Sequence, residues 1–200
     1  SWGDNDAFGP VYRLMAGADS DPAVRAAALL ALARHGGPED APLFQTALTS
    51  THRVERRAAA IFAQRVHMPE LIPFLAESAN DPEEDIQVRR DLTVALSQYE
   101  NDLAVDALVS SLDASRYAIV EAGRAGLRRL TGMDHGTDSA LWQSAINASR
   151  REGQLFARTK PYVFPVYDQD PGFFDQLAYW RPRPREVSGP PIGLVLEPSP

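Results

Sequence analysis

The chain has 200 residues, 44% of them hydrophobic, no cysteine and a formal net charge of -7. This length supports one buried core with an appendage, the absence of cysteine excludes disulfides, thiolate metal sites and a cysteine nucleophile, and no apolar run reaches the roughly 18 residues of a membrane span. Acidity, with Lys160 the only lysine beside nineteen arginines and no basic tract, argues against a nucleic-acid partner, whose phosphates supply most of the binding energy.

The chain opens at Ser1 without an initiator methionine, as expected of a processed or trimmed product. Ala7 to Met15 reads as a first helix, the second half of an incomplete repeat. A helix from about Pro22 to His35 follows, with Asp21 as N-cap, Pro22 at the first position and Gly36-Gly37 as its stop. Its companion starts near Pro38 and carries Ala41, Leu43, Phe44, Ala47 and Leu48. The same pattern returns 32 residues later, where Ala58-Ala59-Ala60 matches Ala26-Ala27-Ala28, with helices from about Thr51 to Val66 and Pro69 to Ser78.

In the third copy, Asp81-Pro82 precedes Val88-Arg89 by five intervening residues, which predicts a first helix extended by about a turn; the second carries Leu103, Val105, Leu108 and Leu112. The fourth copy spans Arg116 to Leu130 and Ser139 to Arg150. A fixed period near 32 residues marks a stacked array in which each helix pair completes its neighbour's core. The chain accordingly divides into an array over 1–153 (a partial repeat 1–18, then about 19–50, 51–80, 81–112 and 113–153) and a tail over 154–200.

The segment Asp19 to Leu32, with its Asp-Pro-x-Val-Arg core, followed by Pro42-Leu43 and Ala47-Leu48, closely resembles bacterial HEAT repeats of the PBS-lyase type. The resemblance implies an all-α fold, a right-handed α-solenoid of about four helix pairs with an extended Pro- and aromatic-rich C-terminal segment. It also implies an inter-repeat ladder of Asp21, Arg25, Asp81 and Arg89, although Glu121 occupies the arginine position of the fourth copy. In such arrays the second helices line the concave face. Glu39, Asp40, Glu70, Glu77, Glu100 and Asp106 lie on those helices and their approaches, so the groove is expected to be acidic and to bind a basic or amide-rich protein segment. The competing reading is that these acids complement helix dipoles.

The tail holds nine of the sixteen prolines and eight of the seventeen aromatic residues, which a solvated linker would lack. Phe173, Phe174, Tyr179 and Trp180, the basic run Arg181, Arg183 and Arg185, and the apolar Leu194, Val195 and Leu196 are candidate partner contacts. The last of these add as a strand or thread a groove. The alternatives are self-association through the tail or its packing back on the array as a cap. Loss of the initiator and the tail composition favour periplasm or cell envelope over cytoplasm.

No Gly-x-Ser-x-Gly elbow or phosphate-binding glycine loop occurs, and no histidine is followed by glutamate. Asp134, His135 and Asp138 offer at most three ligands from a turn and read instead as a helix connection, with Gly132 as a stop and Asp138 or Thr137 as a cap. The sequence therefore points to a non-catalytic protein–protein interaction scaffold or complex subunit without cofactor or metal. The alternative is an accessory factor acting on a protein or cofactor-bearing substrate, in the manner of bilin-lyase-like HEAT proteins.

Overall fold

The computed structural model describes residues 8–166 and 187–194. Among them the regular elements are helices: α1 Gly9–Ala18, α2 Pro22–His35, α3 Ala41–Leu48, α4 Arg53–Arg65, α5 Ile72–Asn80, α6 Ile86–Leu96, α7 Asp102–Ser111, α8 Tyr117–Thr131 and α9 Ser139–Arg151. Single 3-10 turns, Pro38–Asp40 and Pro69–Leu71, lead into α3 and α5. No helix of the described residues is long and apolar enough to cross a membrane.

The helices begin where a side chain replaces a missing carbonyl acceptor. Asp21 accepts from the Ala23 amide at 2.8 Å, and Asn101 accepts from Leu103 at 2.9 Å. Asp85 accepts from Gln87 at 2.9 Å and Val88 at 3.3 Å. This last cap corrects the expected extension of the third first-helix. The extra residues after Asp81 form a turn, and α6 starts only at Ile86.

The first helices of the copies, α2, α4, α6 and α8, pack side by side as one layer, and α1, α3, α5, α7 and α9 form the other. Across the layers the closest neighbours are α1 with α2, α3 with α4, α5 with α6 and α7 with α8. Each tight hairpin thus joins the second helix of one copy to the first of the next, one helix out of step with the sequence period. The connection from α1 to α2 is only Asp19–Asp21, whereas α2 reaches α3 through extended Gly36 and Gly37 and a 3-10 turn.

One apolar cluster runs through both layers from Ala26 to Leu155. Small residues set the helix spacing within it: Ala58, Ala59 and Ala60 are all buried, and Phe44 of α3 meets Phe62 of α4 with ring centroids 6.2 Å apart. On α8 the contact is closer still. A Cβ on Gly123 would stand 1.9 Å from Ser111 Oγ, and one on Gly126 3.0 Å from Ser97 Cβ. Glycine at both positions lets α8 approach α6 and α7.

After α9 the chain turns back along the ends of the first-helix layer. Leu155 and Tyr162 are 5% exposed. Thr159 Oγ1 donates to the Leu130 carbonyl at 2.6 Å and the Lys160 amide to that of Arg129 at 2.9 Å. Farther on, the Phe164 amide donates to the Gly189 carbonyl at 3.0 Å. Ile192 makes a parallel bridge to Val66, donating to the Arg65 carbonyl at 2.7 Å and accepting from the His67 amide at 2.8 Å.

Candidate functional site

The ladder between repeats is built from arginine, but not on the expected acids. Arg25 forms a fork on Glu55 of the next first helix, with Nη2 to Oε1 at 2.5 Å and Nε to Oε2 at 3.1 Å, and donates to the Asp19 carbonyl at 2.6 Å. Arg56 repeats this with Glu84, at 2.7 and 3.0 Å, and with the Ser50 carbonyl at 2.9 Å. The rungs therefore align Arg25 with Arg56, one residue off the match of the alanine runs, which aligned Arg25 with Arg57. Asp21 caps its own helix, Asp81 accepts from the Glu83 amide at 2.9 Å, and Arg89 reaches only the Ala79 carbonyl, at 3.2 Å. Bonding to Glu55 holds the Arg25 guanidinium more basic than usual.

Residues 1–65 match the family model for HEAT repeats. The match covers the first two rungs and supports a HEAT-repeat protein with a solenoid-like, all-helical fold. No curated protein matches the chain, and no solved structure does.

The acids singled out for the groove divide into two sets in this HEAT array. Asp40 is 3% exposed, accepting from Arg13 Nε at 2.6 Å and from the Gly37 amide at 3.1 Å. It is an internal tie between α1 and the turn before α3, a correction to its expected place on a binding surface, and Glu39 binds the same arginine at 2.8 Å. Asp106 receives Arg150 Nη2 at 2.8 Å while Asp102 receives its Nε at 2.7 Å, so α9 is bound to α7. Burial opposes charge on Arg150, but the bonds to Asp106 and Asp102 outweigh it and leave the guanidinium more basic than usual. Glu70, Glu77 and Glu100 remain exposed. Glu39, Asp40, Glu70 and Glu100 lie in the connections that lead into the second helices, along one edge of the array, whereas Glu77 and Asp106 are on helix bodies.

The second-helix layer is not evenly closed. Asn80 Nδ2 spans α5 and α7, reaching the Ala76 carbonyl at 3.2 Å and the Ala107 carbonyl at 3.4 Å. Short α3 stands apart from α5, leaving an open cleft of about 440 Å³ lined by Thr49, Phe74, Glu77, Ser78, Asn80 and Asp81. A second cleft, about 360 Å³, lies between α1 and α3, with Thr46, Thr51 and His52 beside the Arg25–Glu55 pair. Sequence reasoning found Glu77 but missed the cleft, since periodicity records which residues face inward and not how far apart two helices stand.

The tail candidates Phe173, Phe174, Tyr179, Trp180, Arg181, Arg183, Arg185, Val195 and Leu196 lie outside the described residues. Leu194 is half-buried in a turn, its amide donating to the Pro191 carbonyl at 3.3 Å. Around it, Ile192 lies on Val66 of its own chain, and Gly193, at φ +84°, passes so close to Pro38 that a Cβ would sit 2.9 Å from its Cγ. The end of the tail thus reaches the first two copies and not only the last. The guanidinium of Arg65 lies over the Phe164 ring at 5.0 Å. Arg129 is over Tyr162 at 5.5 Å and donates to the Lys160 carbonyl, and burial lowers its guanidinium to about 10.

Every member of the Asp134–His135–Asp138 turn has a structural partner. Asp134 takes Arg124 Nη2 at 2.9 Å and Arg128 Nε at 3.2 Å, and the Arg124 bond holds its carboxyl below the usual range. His135 meets buried Trp142 edge-on at 5.0 Å, while Asp138 accepts from the Leu141 amide at 3.0 Å. Trp142 Nε1 donates to the Gly136 carbonyl at 2.9 Å, which ties the turn to the core. Gly132 and Gly136 have φ of +69° and +64°, the left-handed conformations a helix stop and a tight turn require.

Proposed function

We propose that this protein is a non-catalytic interaction scaffold that holds a partner protein along its second-helix face, with Glu70, Glu77 and Glu100 facing a basic or amide-rich segment. HEAT repeats commonly serve as protein-interaction scaffolds, and the observation that carries the reading here is the α3–α5 cleft with Glu77 in its wall. Asp40 and Asp106 are occupied by Arg13 and Arg150, so recognition rests on the three acids left open. Phe74 supplies apolar surface within the same cleft. An acidic wall beside an aromatic floor suits an arginine or lysine whose stem packs while its charge pairs.

Affinity capture from the native source with the full chain tests this. Partner retention is expected to fall steeply as salt rises, and to fall at least as far when Glu70, Glu77 and Glu100 are changed together to Gln. Binding that neither salt nor the triple variant alters would refute the acidic face as the binding surface.

A further inference from the structure

The two ends of the array are finished differently. At the C-terminal end Leu155, Trp142 and Tyr162 are buried and close the core. At the other end α1 leaves Phe8 57%, Val11 48% and Leu14 69% exposed, successive residues of one helical stripe. The only charged side chain of α1, Arg13, is turned away to Glu39 and Asp40. An apolar groove of about 410 Å³ runs beside the stripe, between α1 and α2, lined by Tyr12, Met15, Ala23, Val24, Ala27 and Ala28.

We infer that this end is a self-association surface, on which two copies of the chain pair about a two-fold axis. A ridge and a groove that adjoin on one face are self-complementary. A two-fold rotation lays the Phe8–Val11–Leu14 ridge of each copy in the α1–α2 groove of the other, the ridge-into-groove contact by which helices pack. Gly17 and Ala18 at the end of α1 and Ala23 and Ala27 on α2 have no bulk to hold the helices apart. Charge favours this face over the others. The chain carries -7 overall, so copies repel one another generally, and an uncharged stripe is where that repulsion is least. A contiguous apolar face of this kind on an otherwise charged chain marks an interaction surface.

The test is sedimentation equilibrium of the full chain over a wide concentration range, with Val11→Glu and Leu14→Glu as variants. Wild type is expected to follow a monomer–dimer equilibrium. Each variant, which puts a carboxylate into the interface twice, should raise the dissociation constant by about tenfold or more while leaving the helical circular dichroism unchanged. Because the chain has no cysteine, Leu14→Cys gives a second readout, since it should oxidise to a covalent dimer whereas Glu77→Cys should not. A wild type that stays monomeric at the highest concentration overturns the inference. A dimer insensitive to both charges, growth beyond a dimer, or equal cross-linking at both cysteines would do the same.

Discussion

Asp85 shows how one carboxylate can start a helix and join two repeats. Its Oδ1 accepts the Gln87 and Val88 amides while Oδ2 meets Arg53 Nε at 2.8 Å. Partial burial pushes this carboxyl up, but the Arg53 guanidinium and the two amides outweigh it and hold it below its ordinary value. A carboxyl so lowered in the fold contributes stability that is complete above the unfolded value of about 4 and is lost as pH falls through the lower, native value. Asp85→Asn keeps a capping oxygen but not the charge. Thermal melting across this range should show wild type more stable near neutrality, with the difference closing at the acid end; a constant difference would show that the charge plays no part.

At the scale of elements, α8 depends on what it lacks. Gly123 and Gly126 lower helix propensity, yet a side chain at Gly123 would strike Ser111 Oγ and the Leu108 carbonyl, the latter at 2.9 Å. Gly123→Ala should therefore destabilise by about 1–3 kcal/mol through overpacking, against the gain in propensity that an exposed glycine would show. Denaturant unfolding measures this, and an increase in stability would mean that α8 shifts freely on its neighbours. In sequence these two residues look like weak points in the fourth copy; only the nearness of α7 gives them a reason. The turn before α9 was legible as a connection, because Gly132, Gly136 and Asp138 each have a local backbone role. That Trp142 fastens this turn through Gly136 depends on the core beneath it.

For the molecule as a whole, the returning tail ties separated copies together. Contacts at Arg129 and Leu130, then at Val66 and His67, then at Pro38 place one stretch of chain along the ends of several first helices. Gly193→Val introduces a branched side chain at φ +84°, where strain costs on the order of 1–3 kcal/mol, and directs it at Pro38. Hydrogen exchange at the His67 amide, which donates to Ile192, should accelerate in this variant while the amides inside α4 keep their protection. Unchanged exchange at His67 would show that the bridge does not persist in solution. The notion of a tail that packs back was open in sequence, but its landing place was not, because no local pattern marks Val66 as an acceptor for a strand more than a hundred residues away.

Periodicity, proline and glycine positions and capping residues were enough to establish nine helices among the described residues, most of them to within a few residues, because helix content depends on interactions a few positions apart. The repeat itself was equally plain, since stacked units must carry the same apolar stripe. Which charges are free was decided in three dimensions: Glu39, Asp40 and Asp106 look like Glu70 and Glu77 in sequence, but Arg13 and Arg150 are brought to them by helices 26 to 44 positions away. The one-helix offset of the tight hairpins, the opening between α3 and α5 and the uncovered face of α1 belong to the same class. They are distances between surfaces, set by how all the helices pack together, and no single stretch of the chain encodes them.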